Sequence, residues 1–474
     1  MKRQREPGMI IILMPYWSFW EHTVQGLRQI KQRLLETVVL TLSKHFVVPF
    51  STLLEPSNIN DVIKAITSNK PDAILVLVTM AAPPAMVSEV VMNSGRTPTV
   101  VWAITNQDID TQNVSEATIT SEGATVGTPM IVSDLYKRGY NPALVVGDHR
   151  NNRTHKQLVN TLKAAVVASK FISSRIGILS KVPEGYTHQE LDPEYIHAQL
   201  GPEIVKISPQ DFWQRYETVT DNDIKSFHAR LLEQFVPMEH IPRISMERSI
   251  KATLAFVKLA NDFNFDAIAI NCHTSDLRLN DKLGIAPCFA LGWLTSEGIP
   301  CTCTADLNTV LAMRLGKLLG AATLYHEIEF ILDDKNLAVL ANTGEFDLNW
   351  SSANETTHMC LNRWYLNHDP ICGICGCFNM KAGPATLVSF VHHQPGSKQP
   401  KPKILVAEGY ILEEELKTLH TVNGAFRFKD GRIYEKWQML VSHGIGHHMC
   451  CLTGHCAKAL NEIARYLEIE CIQI

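Results

Sequence analysis

Two adjacent histidines, His447 and His448, lie in a glycine-rich segment near the end of the chain, from Ser442 to Met449. The glycines allow the backbone to turn tightly, so both imidazoles can point into a cleft. An apolar, strand-like run precedes this loop and an amphipathic segment follows it. Such a loop is suited to a metal site whose other ligands are carboxylates from elsewhere in the chain.

Glu327 is the first candidate carboxylate, because it lies in an otherwise apolar strand-like run over residues 322–330. Strand alternation places Glu327 and Glu329 on one face and His326 on the other. A buried carboxylate on such a strand needs a partner or a metal ion. The alternative is an edge strand with a solvated acidic face.

Asp306 is the second candidate, since it lies between a strand that begins at Cys301 and a helix over residues 307–319. Aspartate at a strand-to-helix turn commonly caps the helix, and this interpretation competes with a role as metal ligand. For His448 the alternative is a loop histidine that is satisfied by backbone hydrogen bonds.

The elements that must position these residues change in character along the chain. Apolar strands alternate with amphipathic helices through residue 332, which predicts an α/β fold with parallel sheets covered on both faces. Beyond residue 333, short strands separated by turn residues predict an antiparallel β domain. The predicted domains are 1–172, 173–332 and 333–474, and the last ends in a helix and a strand.

Composition excludes several classes of function. With 474 residues, 45% hydrophobic and 19% charged, the chain should form two or three folded domains. A net charge of −4 without a basic helix face gives no reason to expect nucleic acid as a partner. Neither a dinucleotide-binding nor a P-loop motif occurs. The apolar runs are too short for a signal peptide or a membrane span, so we expect a cytoplasmic protein.

Three segments together resemble the L-fucose/L-arabinose isomerase superfamily of metal-dependent aldose–ketose isomerases. They are residues 284–306, residues 327–344, and the pair Gly383-Pro-Ala-Thr-Leu387 and Gly446-His-His448. Their order and spacing carry the resemblance between residues 284 and 474. It implies two Rossmann-like domains, a C-terminal β-barrel-like domain, and active sites at subunit boundaries of a homo-oligomer, a trimer or hexamer.

Members of this family move a proton between neighbouring sugar carbons through a cis-enediol, and a divalent ion, usually Mn²⁺, stabilises the developing charge. By position, the resemblance implies that Glu327 is a metal-binding and catalytic carboxylate and that His448 is a metal ligand. His447 would orient His448 or contact the sugar. Asn342 falls where arabinose isomerases have a histidine.

One position departs from the family pattern. The family has Glu-Gly-Asp after the strand that ends in cysteine, whereas this chain has Thr304-Ala305-Asp306. A threonine hydroxyl cannot act as a base near neutral pH and is a weak ligand. Three interpretations stay open: Asp306 serves as substitute ligand or base, Glu329 or His326 supplies the missing group, or the chain has changed its substrate or reaction.

The leading hypothesis is therefore a metal-dependent isomerase of a monosaccharide or substituted monosaccharide, with a divalent ion, Mn²⁺ by preference. The alternatives are a sugar-binding or regulatory protein without isomerase activity, and a lyase or epimerase that uses the same enediolate. The expected metal ligands are Glu327, His448 and Asp306, of which Glu327 and Asp306 are also expected to be catalytic. The expected substrate-binding residues are Tyr16, Trp17, Trp20, His447, Asn342 and Thr304.

The aromatic residues of that set follow the first strand directly, within Pro15-Tyr-Trp-Ser-Phe-Trp20. Ligands of parallel sheets bind at the carboxyl ends of strands, so these rings could line a pocket, from a neighbouring subunit if the sites lie at subunit boundaries. The alternative is an aromatic helix start that packs in an interface.

A last motif, Cys372-x-x-Cys375-x-Cys377, is typical of a zinc or redox site. Its possible partners are Cys450, Cys451, His455 and Cys456. The family resembled has apolar strand residues at this point, so we favour structural thiols. The 12 cysteines are scattered and mostly lie in apolar runs, which indicates buried thiols in a reducing compartment.

Overall fold

The structure is a computed structural model that describes residues 7–95, 97–352, 356–365, 371–393, 401–413 and 420–474. The chain forms two compact units that divide between Lys170 and Phe171. Within the described residues, none of the helices has both the length and the apolar character that a bilayer crossing requires. The finer division into three domains stays a prediction.

The N-terminal unit contains a five-stranded parallel sheet in the order β2-β1-β3-β4-β5. Its elements are β1 (Met9–Pro15), α1 (Leu27–Leu42), β2 (Val47–Leu54), α2 (Ile59–Asn69), β3 (Ala73–Val78), α3 (Ala85–Asn93), β4 (Thr99–Ile104), α4 (Glu116–Ser121), α5 (Ala124–Lys137), β5 (Ala143–Gly147) and α6 (Asn152–Ile172), which continues across the division. Strands β3 and β4 are buried at every position, as expected for central strands covered on both faces.

The second unit begins with a four-stranded parallel sheet in the order β10-β9-β6-β7. The elements here are β6 (Arg175–Leu179), α7 (Pro193–Leu200), β7 (Glu203–Ile207), α8 (Pro209–Glu217), α9 (Asp221–Leu232), β8 (Val236–Pro237), α10 (Arg243–Asp262), β9 (Ala267–Ile270), α11 (Cys288–Ser296), β10 (Cys301–Thr302) and α12 (Leu307–Leu319). The sheet continues the α/β alternation of the first unit.

Six antiparallel strands then close into a barrel in the order β15-β18-β11-β12-β17-β16, because β15 also pairs with β16. The elements are β11 (Thr323–Leu332), β12 (Leu337–Ala341), β13 (His358–Leu361), β14 (Ile374–Cys377), β15 (Gly383–Val391), β16 (Lys403–Leu412), β17 (Asn423–Phe428), α13 (Ile433–Ser442), β18 (His448–Thr453), α14 (Ala457–Tyr466) and β19 (Glu470–Gln473). Strand β19 adds to β16 in parallel, and β14, β13 and β8 form a separate small sheet. The predicted fold class, parallel α/β sheets followed by an antiparallel barrel-like part, is confirmed.

Helix α12 lies unusually close to the barrel. A Cβ atom added at Gly316 would lie 2.2 Å from Leu452 Cδ2 in β18 and 2.7 Å from Thr323 Cγ2 in β11. A larger residue at this position would force both of these buried side chains to move. Because α12 begins directly after Asp306, the close packing sets the position of that carboxylate relative to β11 and β18.

One predicted segment differs in the structure. The apolar run before the histidine loop is helix α13 and not a strand, and His448 is the first residue of β18. The segment after Pro183 contains α7, β7 and α8. Ser208 and Asp211 form a capping box that starts α8.

Candidate active site

His448 lies at the centre of a cluster of polar side chains and is itself buried. It is the first residue of β18 and pairs directly with Glu327 of β11 across the antiparallel ladder. Side chains that face each other across such a ladder are in contact range. His448 Nε2 is 3.0 Å from Glu327 Oε1. The prediction that His448 and a carboxylate on an apolar strand come together thus has a direct structural basis in this strand pair.

Asp306 meets the opposite edge of the same imidazole. His448 Nδ1 donates to Asp306 Oδ2 at 3.0 Å, although 142 residues separate the two in the chain. The same carboxylate caps α12, since Oδ1 accepts from the Thr309 backbone amide at 3.1 Å and Oδ2 from the Thr309 hydroxyl at 2.8 Å. Asp306 therefore caps the helix and contacts His448 with the same carboxylate, and its role as a metal ligand stays a prediction.

The two carboxylates determine the charge of the imidazole. Burial alone would lower the pKa of His448, but the hydrogen bonds from its ring to Asp306 and Glu327 raise that pKa to about 9. Burial likewise opposes ionisation of both carboxyls, but the hydrogen bond to His448, the charge on its ring and smaller contributions from other neighbours together outweigh burial and lower the pKa of each. The site therefore holds an imidazolium between two carboxylates.

His447 lies beside this group on the open side. Its ring packs on that of His448 with centroids 3.6 Å apart, and its Nε2 is 3.9 Å from Glu327 Oε1. Its Nδ1 lies 2.9 Å from His188 Nε2. Burial and the nearby charge on His448 lower the pKa of His447 to about 4, so this imidazole is neutral near pH 7.

Glu327, His447 and His448 form a donor set for a metal ion. One ligand atom from each can be chosen so that all three lie within 4.8 Å of one another. A carboxylate and two imidazoles without a thiolate suit a borderline or hard ion such as Mn²⁺ better than a soft ion. Asp306 accepts from Nδ1 of His448, so Nε2 is the ring nitrogen that would be left to hold an ion.

Four further residues contribute to the site that sequence reasoning did not single out. Tyr325, two residues before Glu327 on β11, places its hydroxyl 2.6 Å from His448 Nε2. The buried Gln189 has its Nε2 atom 2.7 Å from His448 Nδ1. His188 contacts His447, as described above. Strand alternation from Glu327 could have found Tyr325, whereas no local signal marks His188 and Gln189.

Glu345 is the fourth, and it is a fully buried carboxyl group beneath the site. Its Oε1 atom has no hydrogen-bond partner among the described residues, and burial raises its pKa. The charges on His448 and Glu327 affect this pKa, which places the carboxyl group near both. Only 2% of Glu345 is exposed, so a bound substrate could not reach it without a rearrangement.

Asn342 shapes the loop that carries Glu345. Its amide nitrogen donates to the carbonyls of Tyr325 (2.7 Å) and Glu345 (2.9 Å), and its oxygen accepts from the Gly344 amide at 3.0 Å. The side chain is thus committed to backbone partners. The predicted contact between Asn342 and substrate stays a prediction, and the observed bonds tie the loop to β11.

Thr304 and Ala305 stand in the left-handed region, with φ of 52° and 56°. Left-handed backbone is unusual for any residue with a Cβ and is a clear outlier for β-branched threonine. The Thr304 hydroxyl is buried and has no hydrogen-bond partner within the described parts of the chain. The turn that presents Asp306 is therefore strained at the position where the sequence departs from the family it resembles.

The neighbours of Glu327 on β11 differ from each other in surroundings. His326 is fully buried, its Nδ1 is 3.3 Å from the Leu324 carbonyl, and burial lowers its pKa to about 4. Glu329 lies at a bulge where the pairing with β12 shifts, so simple alternation does not place it. Burial and the charge on Glu327 raise the pKa of Glu329, and its Oε1 atom has no partner in the described chain.

The predicted aromatic residues belong to the N-terminal unit. The Tyr16 ring is buried and its hydroxyl donates to Glu21 at 2.7 Å, while the Trp20 indole donates to the Ala81 carbonyl at 3.1 Å. Trp17 packs edge-on against Trp20 with centroids 5.5 Å apart. These residues form one aromatic cluster at the carboxyl end of β1, and their contact with substrate stays a prediction.

Comparisons with known proteins found two relatives of named activity. No protein-family model matches the chain. Two relatives named sulfoquinovose isomerase, from Priestia aryabhattai and Priestia megaterium, are each 22% identical over 433 residues, which is 90% of this chain and 90% of the relative. The sugar-binding protein of a sugar ABC transporter from Bacillus halodurans is 12% identical, and the match covers 66% of this chain and 86% of that protein. Its TM-score of 0.14 is too low to indicate a shared fold.

The strain at Thr304 gives a prediction for stability. Replacing Thr304 by glycine removes a left-handed penalty of about 1–2 kcal/mol and an unpaired buried hydroxyl, against a loss of about 0.5–1 kcal/mol for glycine's greater freedom in the unfolded chain. We expect Thr304→Gly to raise the free energy of unfolding by about 1 kcal/mol, as measured by urea denaturation.

The matched control is Thr302→Gly, two residues earlier in β10. Thr302 has an extended backbone, and its hydroxyl donates to the Asp306 carbonyl at 2.9 Å. This substitution should lower the free energy of unfolding by about 2 kcal/mol. Equal destabilisation by the two substitutions would show that the backbone at Thr304 is not strained.

Proposed function

We propose that this protein is a metal-dependent aldose–ketose isomerase that acts on a monosaccharide or substituted monosaccharide through a cis-enediol. The observation that carries the proposal is that the chain resembles sulfoquinovose isomerases over 90% of its length and brings Glu327, His447 and His448 together. Mn²⁺ is the favoured ion. A homo-oligomer, a trimer or hexamer with sites at subunit boundaries, is part of the same proposal.

The donor chemistry fits a divalent ion. Glu327 and the two imidazoles would hold it, and when bound it would stabilise negative charge that develops on the sugar oxygens. Asp306 would act through His448, since a carboxylate that accepts from Nδ1 fixes the ring and leaves Nε2 for the ion. This assigns Asp306 a positioning role in place of the ligand or base role expected from the sequence.

Two carboxyl groups on β11 are suited to moving a proton. Glu327 is ionised and half-buried, so it can serve as the base that takes a proton from carbon. Glu329 keeps its proton more readily because burial and the charge on Glu327 raise its pKa. Neighbouring carboxyls whose pKa values are shifted in opposite directions can divide the acid and base roles. We therefore assign the second proton transfer to Glu329, which is partly exposed, whereas Glu345 is fully buried.

A second candidate function has one observation in its favour. The family to which the sequence is similar has a metal-binding and catalytic glutamate at position 304, and this chain has a strained threonine there. A protein that binds the sugar without isomerising it, or an enediolate lyase or epimerase, would tolerate that change.

Sulfoquinovose and other aldoses with an anionic substituent at carbon 6 are the substrates to test first, because the relatives are named sulfoquinovose isomerase.

The decisive assay uses the full-length protein with Mn²⁺ and a panel of aldoses in D₂O. An isomerase forms ketose and incorporates deuterium next to the carbonyl, an epimerase exchanges without ketose, a lyase cleaves the chain, and a binding protein does none of these. Glu327→Gln should lower kcat by about 10²–10⁴ and abolish Mn²⁺ binding. Glu435→Gln, an exposed carboxylate on α13, is the control that should behave as wild type.

Turnover in the absence of any divalent ion, or unchanged Mn²⁺ content in Glu327→Gln, would contradict the assigned metal site. Absence of both exchange and ketose over the whole panel, in protein shown by metal analysis to hold one equivalent of Mn²⁺, would reject the isomerase proposal.

The positioning role of Asp306 predicts a loss of both stability and metal affinity. Asn caps a helix about as well as Asp but cannot give the buried His448 imidazolium a charged partner. Asp306→Asn should therefore lower the free energy of unfolding by about 1.5–3 kcal/mol through the lost charged hydrogen bond, and weaken Mn²⁺ binding about 10–100-fold. Asp306→Ala should weaken binding similarly and cost about 1 kcal/mol more stability through loss of the cap. Calorimetric titration with Mn²⁺ and urea denaturation measure the two effects. Wild-type affinity in Asp306→Asn would refute the assignment.

Glu329→Gln tests the second proton-transfer group. Because Glu329 is not among the proposed ligands, this substitution should leave Mn²⁺ affinity unchanged and lower kcat by about 10²–10⁴ with little effect on KM. Steady-state kinetics on the identified sugar and calorimetric titration provide the two readouts. A normal kcat in this variant would show that another group carries out the second proton transfer.

A further inference from the structure

Three cysteines form a cluster of their own on the small sheet of β14, β13 and β8. Cys360 of β13 pairs directly with Cys375 of β14, and Cys377 lies two residues further along β14. Alternation puts Cys375 and Cys377 on one face of the strand. The cluster belongs neither to the main core nor to the candidate active site.

One pair of these thiols has the spacing of zinc ligands. Cys360 Sγ is 3.7 Å from Cys375 Sγ, too far apart for a disulfide bond. With Zn–S bonds of about 2.3 Å, two thiolates of a tetrahedral site lie about 3.8 Å apart. The observed pair therefore already has the separation of one edge of a zinc tetrahedron.

A histidine lies beside two of these thiols. One ligand atom from each of Cys360, Cys377 and His420 can be chosen so that all three lie within 4.8 Å of one another. Cys375 is not in that set, and its thiol is placed by its 3.7 Å distance from Cys360 Sγ. The backbone of the same residue is already against the thiols, because Cys360 and Cys375 donate to the His420 carbonyl at 3.3 and 3.5 Å. The partners considered from the sequence, Cys450, Cys451, His455 and Cys456, lie instead in or directly after β18.

The motif Cys372-x-x-Cys375-x-Cys377 is therefore divided in the structure. Cys375 and Cys377 join the cluster, whereas the Cys372 thiol donates to the Asn362 carbonyl at 3.0 Å. The remaining donors come from Cys360 and His420, which lie 15 and 45 residues from Cys375 and which no spacing rule connects.

We propose that Cys360, Cys375, Cys377 and His420 form a structural Cys₃His zinc site. Soft thiolates select Zn²⁺ over the harder ion proposed for Glu327 and the histidine pair, so the two sites take different metals. Binding releases three protons, one from each thiol, and involves no change of oxidation state.

The site would fasten the β13–β14 hairpin to the segment that enters β17. This hairpin supports the loop of Asn342 and Glu345, because a Cβ at Gly344 would lie 3.0 Å from Cys375 Cβ and 2.7 Å from Asn362 Nδ2. Zinc would thus stabilise the hairpin that supports the loop of Asn342 and Glu345, without taking part in the chemistry of the candidate active site.

The test uses full-length protein, reduced and freed of metal, with Zn²⁺ or Co²⁺ as the only additions. We expect one tightly held zinc per chain and, with Co²⁺, an intense sulfur-to-cobalt charge-transfer absorption. Both should persist in Glu327→Gln, which separates this site from the proposed isomerase site. Cys377→Ser and His420→Ala should lose the zinc equivalent, and Cys372→Ser, from the same motif, should keep it.

Wild-type protein that binds Co²⁺ without thiolate absorption would overturn the proposal, and so would equal loss of zinc in Cys372→Ser. Thiol counting on the unfolded protein adds a further check, since two missing thiols without bound metal would indicate a Cys360–Cys375 disulfide instead. If Cys377→Ser does not fold, His420→Ala decides, because it leaves all three thiols in place: retention of full zinc affinity there rejects the Cys₃His site.

Discussion

The structure of the site depends on one imidazole ring held between two carboxylates. His448 donates from Nδ1 to Asp306 and lies against Glu327 through Nε2, and each partner comes from a different part of the fold. Asp306 is fixed by the start of α12, and Glu327 by the strand pair of β11 and β18. The close approach at Gly316 brings helix and strands to the distance at which one ring can span both carboxylates. The charge of the site and the relative positions of α12, β11 and β18 therefore all depend on contacts of His448.

Much of this arrangement follows from local patterns. Continuous apolar runs and helical periodicity predict the parallel sheets, and short strands between turn residues predict the barrel. A carboxylate in an apolar strand and a histidine pair in a glycine-rich loop both identify residues that do meet. Helix α13 was not predicted because its exposed apolar residues Trp437, Met439 and Val441 recur at every second position, which is the spacing of a strand.

What the sequence could not predict depends on contacts between distant residues. Asp306 contacts Nδ1 of His448 and Glu327 contacts Nε2. The separation of these residues in the sequence does not reveal which ring nitrogen each carboxylate meets. Gln189 lies 259 residues from His448 in the chain and has no motif of its own. Similarly, Cys360 and His420 approach Cys375 and Cys377 only because a hairpin and a returning segment fold onto each other. Thr304 was recognised as a departure, but its strained backbone is visible only in three dimensions.

The order of strands in the barrel has a consequence for how the chain folds during its synthesis. Strand β18 is the second-to-last strand in sequence, yet in the barrel it pairs with two earlier strands, β11 on one side and β15 on the other. Until residues 448–453 have been synthesised, β11 and β15 each present an unpaired edge, and the ring cannot close. The strand that completes the barrel also delivers His448. Closure of the barrel and assembly of the site are thus a single late event during synthesis, and a nascent chain without this strand can have neither.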